Sequence, residues 1–198
     1  MNTTTRHRLL GVSLFLAASG FCHGQSVTVL ANNRDAQECY FNARQAIAVP
    51  DSASLSSQAP CDRALELGAT LIKRDLVAIH INRGIISAAR EDYPAALADY
   101  KKAYDLNPEL PEAHVNLGNL YFLANKMDKA VEFYSRALAL GLGKAHVAYL
   151  NRGMAQESLG AYEPAEADYR QAIALNPDWA LPRQKLERLL SKKSSRGA

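Results

Sequence analysis

Cysteine is scarce in this chain of 198 residues, which contains only three. No two of them are spaced as a CxxC pair, and residues 25–79 contain no histidine. A tetrahedral zinc site built around Cys39 and Cys61 would therefore lack ligands from its own neighbourhood. We expect no bound metal.

Charge of one sign is not in excess either, since 23 Lys and Arg residues oppose 20 Asp and Glu residues. The net charge is only +3, and the Lys and Arg residues form no clustered basic stripe of the kind that binds a phosphate backbone. Nucleic acid is therefore not an expected partner. The chain is 48% hydrophobic with 8 prolines and 11 glycines, which excludes wholesale disorder and collagen-like repeats.

Catalytic motifs are also absent from the sequence, which has no GxSxG, no HExxH and no glycine-rich phosphate loop. His80 and His114 occupy equivalent places in a repeat described below, where a buried aromatic side chain would serve equally well. A structural role is the simpler interpretation of both histidines. We predict that the protein is not an enzyme and uses no cofactor.

Long hydrophobic runs are missing, and the longest apolar stretch lies near the N-terminus at residues 9–18. It follows Arg6 and Arg8, and no acidic residue occurs in residues 1–24, a pattern typical of a secretory signal peptide. The stretch is too short to span a bilayer, so we expect no transmembrane span in the mature chain. Cleavage after Gly20 or Gly24 fits the small residues there, and Gly24 is favoured. We predict an exported protein located in the periplasm, with secretion or a lipid anchor on Cys22 as alternatives.

Cys39 and Cys61 remain after such cleavage, and an even pair in an exported chain favours one disulfide. Residues 61–67 resemble a second helix whose partner would span residues 35–47. The polar segment 50–60, with a proline at each end, is expected to be a loop between them. Residues 25–76 are thus predicted to form a degenerate helical hairpin that the disulfide closes.

A repeat is the strongest signal in the chain. An Asn-x-Gly triplet recurs at Asn82, Asn116 and Asn151, at spacings of 34 and 35 residues, and each copy is followed by a similar Ala-rich segment with a central tyrosine. A period of this length indicates helical hairpins that bury their apolar faces by stacking on their neighbours. The predicted fold class is all-α, an α-solenoid of stacked helical hairpins.

The small and aromatic residues of these units resemble the tetratricopeptide repeat family. The resemblance implies a right-handed superhelix with three units at residues 77–110, 111–145 and 146–179, followed by a capping helix and basic tail at residues 180–198, of which residues 191–198 are expected to be a frayed tail. It also implies a repeat core of Gly84, Ala96, Tyr100 and Ala103, of Gly118, Ala130, Tyr134 and Ala137, and of Gly153, Ala165, Tyr169 and Ala172.

Glycine inside a helix costs about 1 kcal/mol relative to alanine, so close helix crossing has to offset it. Each repeat glycine is followed twelve residues later by an alanine, as Gly84 is by Ala96. We expect these two small residues to face one another within a hairpin, with the tyrosine filling the space between hairpins. Pro108 and Pro177 are predicted to follow the ends of second helices, and the segment 141–143 to provide a glycine stop.

Asn82, Asn116 and Asn151 are unusual because asparagine is a poor helix former. In tetratricopeptide repeats this face lines the concave groove, where similar asparagines hold the backbone of an extended peptide. An amide side chain can donate to a carbonyl and accept from an N–H group. The alternative, weighted equally, is that each asparagine bonds between neighbouring units. The candidate peptide-binding residues are Asn82, Asn116, Asn151, Asn119, Ile81, Val115 and Leu150.

Together these patterns predict a non-catalytic module that binds a polypeptide segment of a protein partner in its concave groove. Recognition of a free C-terminal carboxylate is in doubt, because Ile81 and Val147 stand near places where carboxylate-clamp domains carry Lys or Arg. Two alternatives remain open: an envelope component anchored through its N-terminal segment, and an accessory subunit of an enzyme.

The intact mass of the exported protein tests the N-terminal prediction. Cleavage after Gly24 gives a product that begins at Gln25, whereas retention of residues 1–24 preserves the full 21.6 kDa. A product that begins at Cys22 and carries an acyl group would support the anchored alternative and contradict cleavage at Gly24.

Overall fold

The computed structural model describes residues 33–67 and 71–196, so the predicted signal peptide at residues 1–24 lies outside it. The described residues form nine α-helices and one short 3-10 turn (Pro50–Ser52), with no strand among them. The helices are α1 (Arg34–Ala48), α2 (Leu55–Glu66), α3 (Lys73–Ala89), α4 (Tyr93–Leu106), α5 (Pro111–Leu123), α6 (Met127–Ala139), α7 (Ala145–Ser158), α8 (Tyr162–Leu175) and α9 (Ala180–Arg196).

These helices stack as consecutive hairpins, which confirms the predicted all-α solenoid. Helices α3 and α4, α5 and α6, and α7 and α8 pack most extensively as pairs, and each pair also packs on the next through its adjoining helices. Helices α1 and α2 pack against each other and on α3, while α9 covers α8 at the other end. No helix within the described ranges is both long and apolar enough to cross a membrane.

A glycine in the first helix of each repeat hairpin lies against the ring of a tyrosine in the second helix. A Cβ atom at Gly118 would lie 2.7 Å from Cε1 of Tyr134, and Gly84 and Gly153 meet Tyr100 and Tyr169 in the same way. The sequence predicted that these glycines face alanines. The nearest atoms at all three glycines belong to the tyrosine ring, and at Gly153 the backbone oxygen of Ala165 also lies within 3.2 Å of the added Cβ position.

The predicted helix ends are confirmed at the second helices. Helix α4 ends at Leu106 and α8 at Leu175, each followed by an Asn-Pro pair. In the middle hairpin α6 ends at Ala139, and Gly141 takes a φ of +80°, a left-handed conformation that glycine adopts without strain.

The N-terminal hairpin contains the predicted disulfide between Cys39 on α1 and Cys61 on α2, with Cα atoms 4.7 Å apart. The expectation of a loop throughout residues 50–60 was wrong, because α2 begins at Leu55. Ser54 and Ser57 form a reciprocal capping box that starts the helix before Pro60. Pro60 is buried inside α2 and leaves out one backbone hydrogen bond.

Helix α9 is also longer than predicted, since it continues through residues 191–196, which were expected to form a frayed tail. Lys193 accounts for part of this extension because its ammonium lies 3.1 Å from Glu163 and 3.0 Å from Glu166 of α8. The terminal helix is thus fastened to the last repeat by charge as well as by buried Leu189.

Substituting Gly118 with alanine should destabilise the protein, because the added methyl group meets the fixed ring of Tyr134. Overpacking of this kind costs about 1–3 kcal/mol, which outweighs the gain of about 1 kcal/mol in helix propensity. Gly143→Ala is the matched control, since no atom lies within 4 Å of its added Cβ and its φ is not positive. Thermal unfolding of both variants decides the question, and an equal melting temperature for the two would contradict the close-contact argument.

Candidate functional site

The three repeated asparagines lie on the first helices of the hairpins, α3, α5 and α7, and all are buried. Their exposed fractions are 5% for Asn82, 2% for Asn116 and 2% for Asn151. The Nδ2 group of Asn151 donates to Oδ1 of Asn119 at 3.1 Å, and the Tyr134 hydroxyl donates to the same oxygen at 2.8 Å. One asparagine of the series is therefore bonded between two repeats.

Asn116 differs from Asn151 because its Nδ2 group is buried and has no hydrogen-bond partner among the described residues. A buried amide donor without an acceptor is costly, and native structures contain few of them. Rotating this amide toward a ligand would break no hydrogen bond of the Nδ2 group.

The apolar residues predicted beside the asparagines lie in the core. Ile81 and Leu150 are each 1% exposed and Val115 is 2% exposed. Val115 packs with Ala137 and Ala148, at the contact of the second and third repeats. Direct contact of these three side chains with a peptide stays a prediction, and the proposal below does not depend on it.

A feature that the sequence analysis missed is a pair of buried arginine–aspartate bridges. Arg83 of α3 donates through Nε and Nη2 to both carboxylate oxygens of Asp99 at 2.9 and 2.7 Å, and Arg152 of α7 binds Asp168 of α8 in the same bidentate way. Both pairs are separated by sixteen residues, so a repeat alignment that followed charge as well as apolar places could have found them. In the middle repeat the same places hold Leu117 and Phe133.

Each arginine also reaches the preceding hairpin. Nη1 of Arg83 donates to Asp62 of α2 at 2.8 Å, and Nη1 of Arg152 donates to the Ser135 hydroxyl of α6 at 3.0 Å. Burial alone would raise the pKa of Asp99, but hydrogen bonds from His80 and Arg83 outweigh it and hold that pKa below its usual range. These arginines therefore join hairpins and are not free to bind a ligand.

The repeated histidines have separate partners. Nδ1 of His80 lies 2.9 Å from Asp99, while Nε2 of His114 lies 2.7 Å from the carbonyl oxygen of Pro108 and donates to it. Burial lowers the pKa of His114. No group of three or more potential metal ligands occurs in the part of the chain that the structure describes.

The face formed by the first helices α3, α5 and α7, which we call the first-helix face, has two features that solvent can reach. Phe122 of α5 and Met154 of α7 are partly exposed beside a pocket of about 190 Å³ that extends to α9. Glu112, in the first turn of α5, is partly buried, and this burial raises its pKa to about 7. The face therefore combines an apolar border with a carboxyl group that changes charge near neutral pH.

Stacked hairpins of this size, with a glycine–tyrosine contact in each, define a helical repeat protein. The particular repeat follows from comparison with known families. The TPR repeat model matches residues 84–124, and the tetratricopeptide repeat model matches residues 111–140 and 146–178. The chain contains tetratricopeptide repeats, which in general form surfaces for protein–protein interaction.

Curated relatives share the repeats over part of their length. The chain is 33% identical to the protein O-mannosyl-transferase TMTC1 of Mus musculus over 108 residues, which is 52% of this chain and 11% of that protein. It is 33% identical to the heat shock protein STI1 of Saccharomyces cerevisiae over 63 residues, which is 32% of this chain and 11% of that protein. The matched region therefore spans about a tenth of these relatives.

Solved structures agree on the fold. MamA superposes with a TM-score of 0.65 at 18% identity, covering 82% of this chain and 85% of MamA. The first tetratricopeptide domain of Spaghetti (RPAP3), bound to the HSP90 peptide SRMEEVD, gives a TM-score of 0.57 at 24% identity and covers 60% of this chain and 93% of that domain.

Glu112 makes folding stability depend on pH. Its pKa rises from an ordinary 4.5 to about 7 on folding, so its favourable contribution is complete below pH 4.5 and is lost as the pH rises through about 7. Near pH 4, where the side chain at position 112 is about neutral in both proteins, Glu112→Gln should have the same free energy of unfolding as the wild type. Near pH 8 the variant should be more stable by roughly 1–2 kcal/mol after solvent screening.

Thermal unfolding at both pH values measures this effect. Glu109→Gln, which changes an exposed glutamate just before the same helix, is the matched control. A difference between Glu112→Gln and the wild type that is equal at the two pH values would contradict the assignment.

Proposed function

We propose that this protein is a non-catalytic scaffold that binds an extended polypeptide segment of a partner protein along the face formed by α3, α5 and α7. The proposal takes Asn82, Asn116 and Asn151 as backbone-binding residues, with Asn119 beside them. Tetratricopeptide repeats in general supply such surfaces, and the related first domain of Spaghetti was solved with a bound peptide.

The observation that carries the proposal is the unpartnered amide of Asn116. A peptide carbonyl would supply the acceptor that Nδ2 lacks, and the amide oxygen could accept from a peptide N–H group. Because Asn116 is only 2% exposed, its side chain has to rotate outward from the floor of the face. Such a rotation breaks no Nδ2 hydrogen bond.

The bonded state of Asn151 supports the alternative role for part of the series. The Asn151 amide already donates a hydrogen bond to Asn119, so replacing Asn151 should weaken the contact between the second and third repeats. The two interpretations are therefore separable by residue: Asn116 is the better ligand contact, and Asn151 is the better structural link.

Export is the second part of the proposal. The Cys39–Cys61 disulfide is compatible with an oxidising compartment, and residues 1–24 have the pattern of a signal peptide. We infer that the scaffold acts in the periplasm, where its disulfide would persist.

Peptide binding can be tested with a peptide selected on the oxidised protein from a phage library of random sequences. Fluorescence anisotropy then compares its affinity for wild type, Asn116→Ala and the triple variant with alanine at positions 82, 116 and 151. We expect Asn116→Ala to lose about tenfold in affinity while its melting temperature changes little, and the triple variant to lose more.

Asn176→Ala is the control, because Asn176 ends α8 away from this face. Full affinity in both Asn116→Ala and the triple variant would overturn the asparagine assignment. A triple variant that melts at lower temperature yet binds normally while folded would assign the series to the stacking of repeats.

A further inference from the structure

The pocket beside Phe122 and Met154 has a strongly positive wall. Lys185, Arg188 and Lys192 of α9 line it together, and they lie three and then four residues apart on one face of the helix. Glu157 of α7 is the acidic residue in the lining. Three positive charges therefore meet one negative charge in a pocket of about 190 Å³.

Glu157 does not neutralise this wall, because its carboxylate already has partners. The Tyr169 hydroxyl donates to Oε2 at 2.8 Å, and Nη2 of Arg188 lies 3.1 Å from Oε1 and 3.3 Å from Oε2. The Arg188–Glu157 pair is thus a bonded unit of nearly zero net charge, which leaves the two lysines.

Lys192 and Lys185 differ in their surroundings. The Lys192 ammonium lies 5.2 Å from the ring centroid of Tyr162, where the aromatic face attracts it. Lys185 is partly buried and has neither a hydrogen-bond nor an ion-pair partner within residues 33–67 and 71–196. Burial is the main cause that lowers the pKa of Lys185; the positive charge of Arg188 adds to this effect, and the negative charge of Glu157 opposes it.

We propose that this basic pocket, defined by Lys185, Arg188 and Lys192, receives the carboxylate of an Asp or Glu side chain within the polypeptide bound by the protein. The inference rests on the proposed function, since it assigns the chemistry of the same ligand. A carboxylate placed beside Lys185 would supply the ion-pair partner that its ammonium lacks, and desolvation inside the pocket would strengthen the attraction.

The position of the pocket favours a side chain of a longer segment. Met154 follows Asn151 by three residues on α7, so the pocket continues the face that carries the asparagines. Phe122 and Met154 form an apolar border that suits the methylene part of a glutamate. A segment lying along α3, α5 and α7 would thus place an acidic residue at its end over α9.

The test uses two fluorescein-labelled peptides with amidated C-termini, one alternating Glu and Ala and the other alternating Gln and Ala. Anisotropy titrations at constant salt compare wild type, Lys185→Met and Lys101→Met, the last being the control because Lys101 is exposed on the second helix α4. We expect the wild type to prefer the Glu peptide by about tenfold. Lys185→Met should lose most of that preference, keep its affinity for the Gln peptide and melt no lower than the wild type.

Three results of these titrations would overturn the inference. Equal binding of both peptides by the wild type removes the acidic preference while leaving the proposed peptide face intact. An equal loss in Lys101→Met and Lys185→Met assigns the preference to net charge alone. If a third peptide, the Gln peptide with a free C-terminal carboxylate, binds while the amidated Gln peptide does not, the chain terminus is the ligand in place of a side chain.

Failure of the proposed function has a different signature. In that case neither labelled peptide nor the library-selected peptide would bind the first-helix face, and the asparagine variants would behave as the wild type does. A further possibility is that the pocket is a site for small anions, which sodium sulfate tests as a competitor. Full displacement of the Glu peptide by sulfate, but not by chloride at equal ionic strength, would indicate such a site. That result would also overturn the side-chain assignment.

Discussion

The contact between a helix glycine and a tyrosine ring is the constraint on which the rest of this solenoid depends. It recurs at Gly84, Gly118 and Gly153, and in each case a single added carbon would lie within 3 Å of a buried ring. Helices this close bury alanine on both sides, which is why the repeat alanines are wholly buried. Stacking three such pairs aligns the first helices α3, α5 and α7, and the three buried asparagines lie at equivalent places along them.

Polar groups inside the solenoid include bonded ones and, within the described residues, four buried side-chain atoms without a hydrogen-bond partner: Ser87 Oγ, His114 Nδ1, Asn116 Nδ2 and Gln156 Oε1. The Arg83–Asp99 and Arg152–Asp168 bridges are bidentate, and each arginine also donates to the preceding hairpin, so they join neighbouring hairpins. Breaking such a bridge on one side would leave a buried charge, which is strongly destabilising. By contrast, the amide of Asn116 and the ammonium of Lys185 lack partners in the described part of the chain, and both adjoin the first-helix face.

Much of the fold could be predicted because its signals are local. The 34-residue period can be read along a single hairpin, the Asn-Pro pairs and Gly141 act within a turn or two of helix, and the helices end where these residues predict. The differences arise where a local signal was weak or misleading. Pro60 suggested a loop, but the capping box at Ser54 had already started a helix. The tail beyond Leu190 is rich in lysine and serine, yet it stays helical because Lys193 finds acidic partners on α8.

The sequence by itself determined that the chain forms helical hairpins, how many repeats stack and which small and aromatic residues form their core. It could do so because the repeated residues and the residues that end each helix are visible in short segments of sequence. It also identified the asparagine series, since three identical residues at one place in a repeat are visible without coordinates. Only the tertiary structure decided which polar groups have partners. That depends on distances between residues far apart in the chain, as Arg188 and Glu157 or Asn151 and Asn119 are, and such distances follow from the angle at which whole hairpins pack.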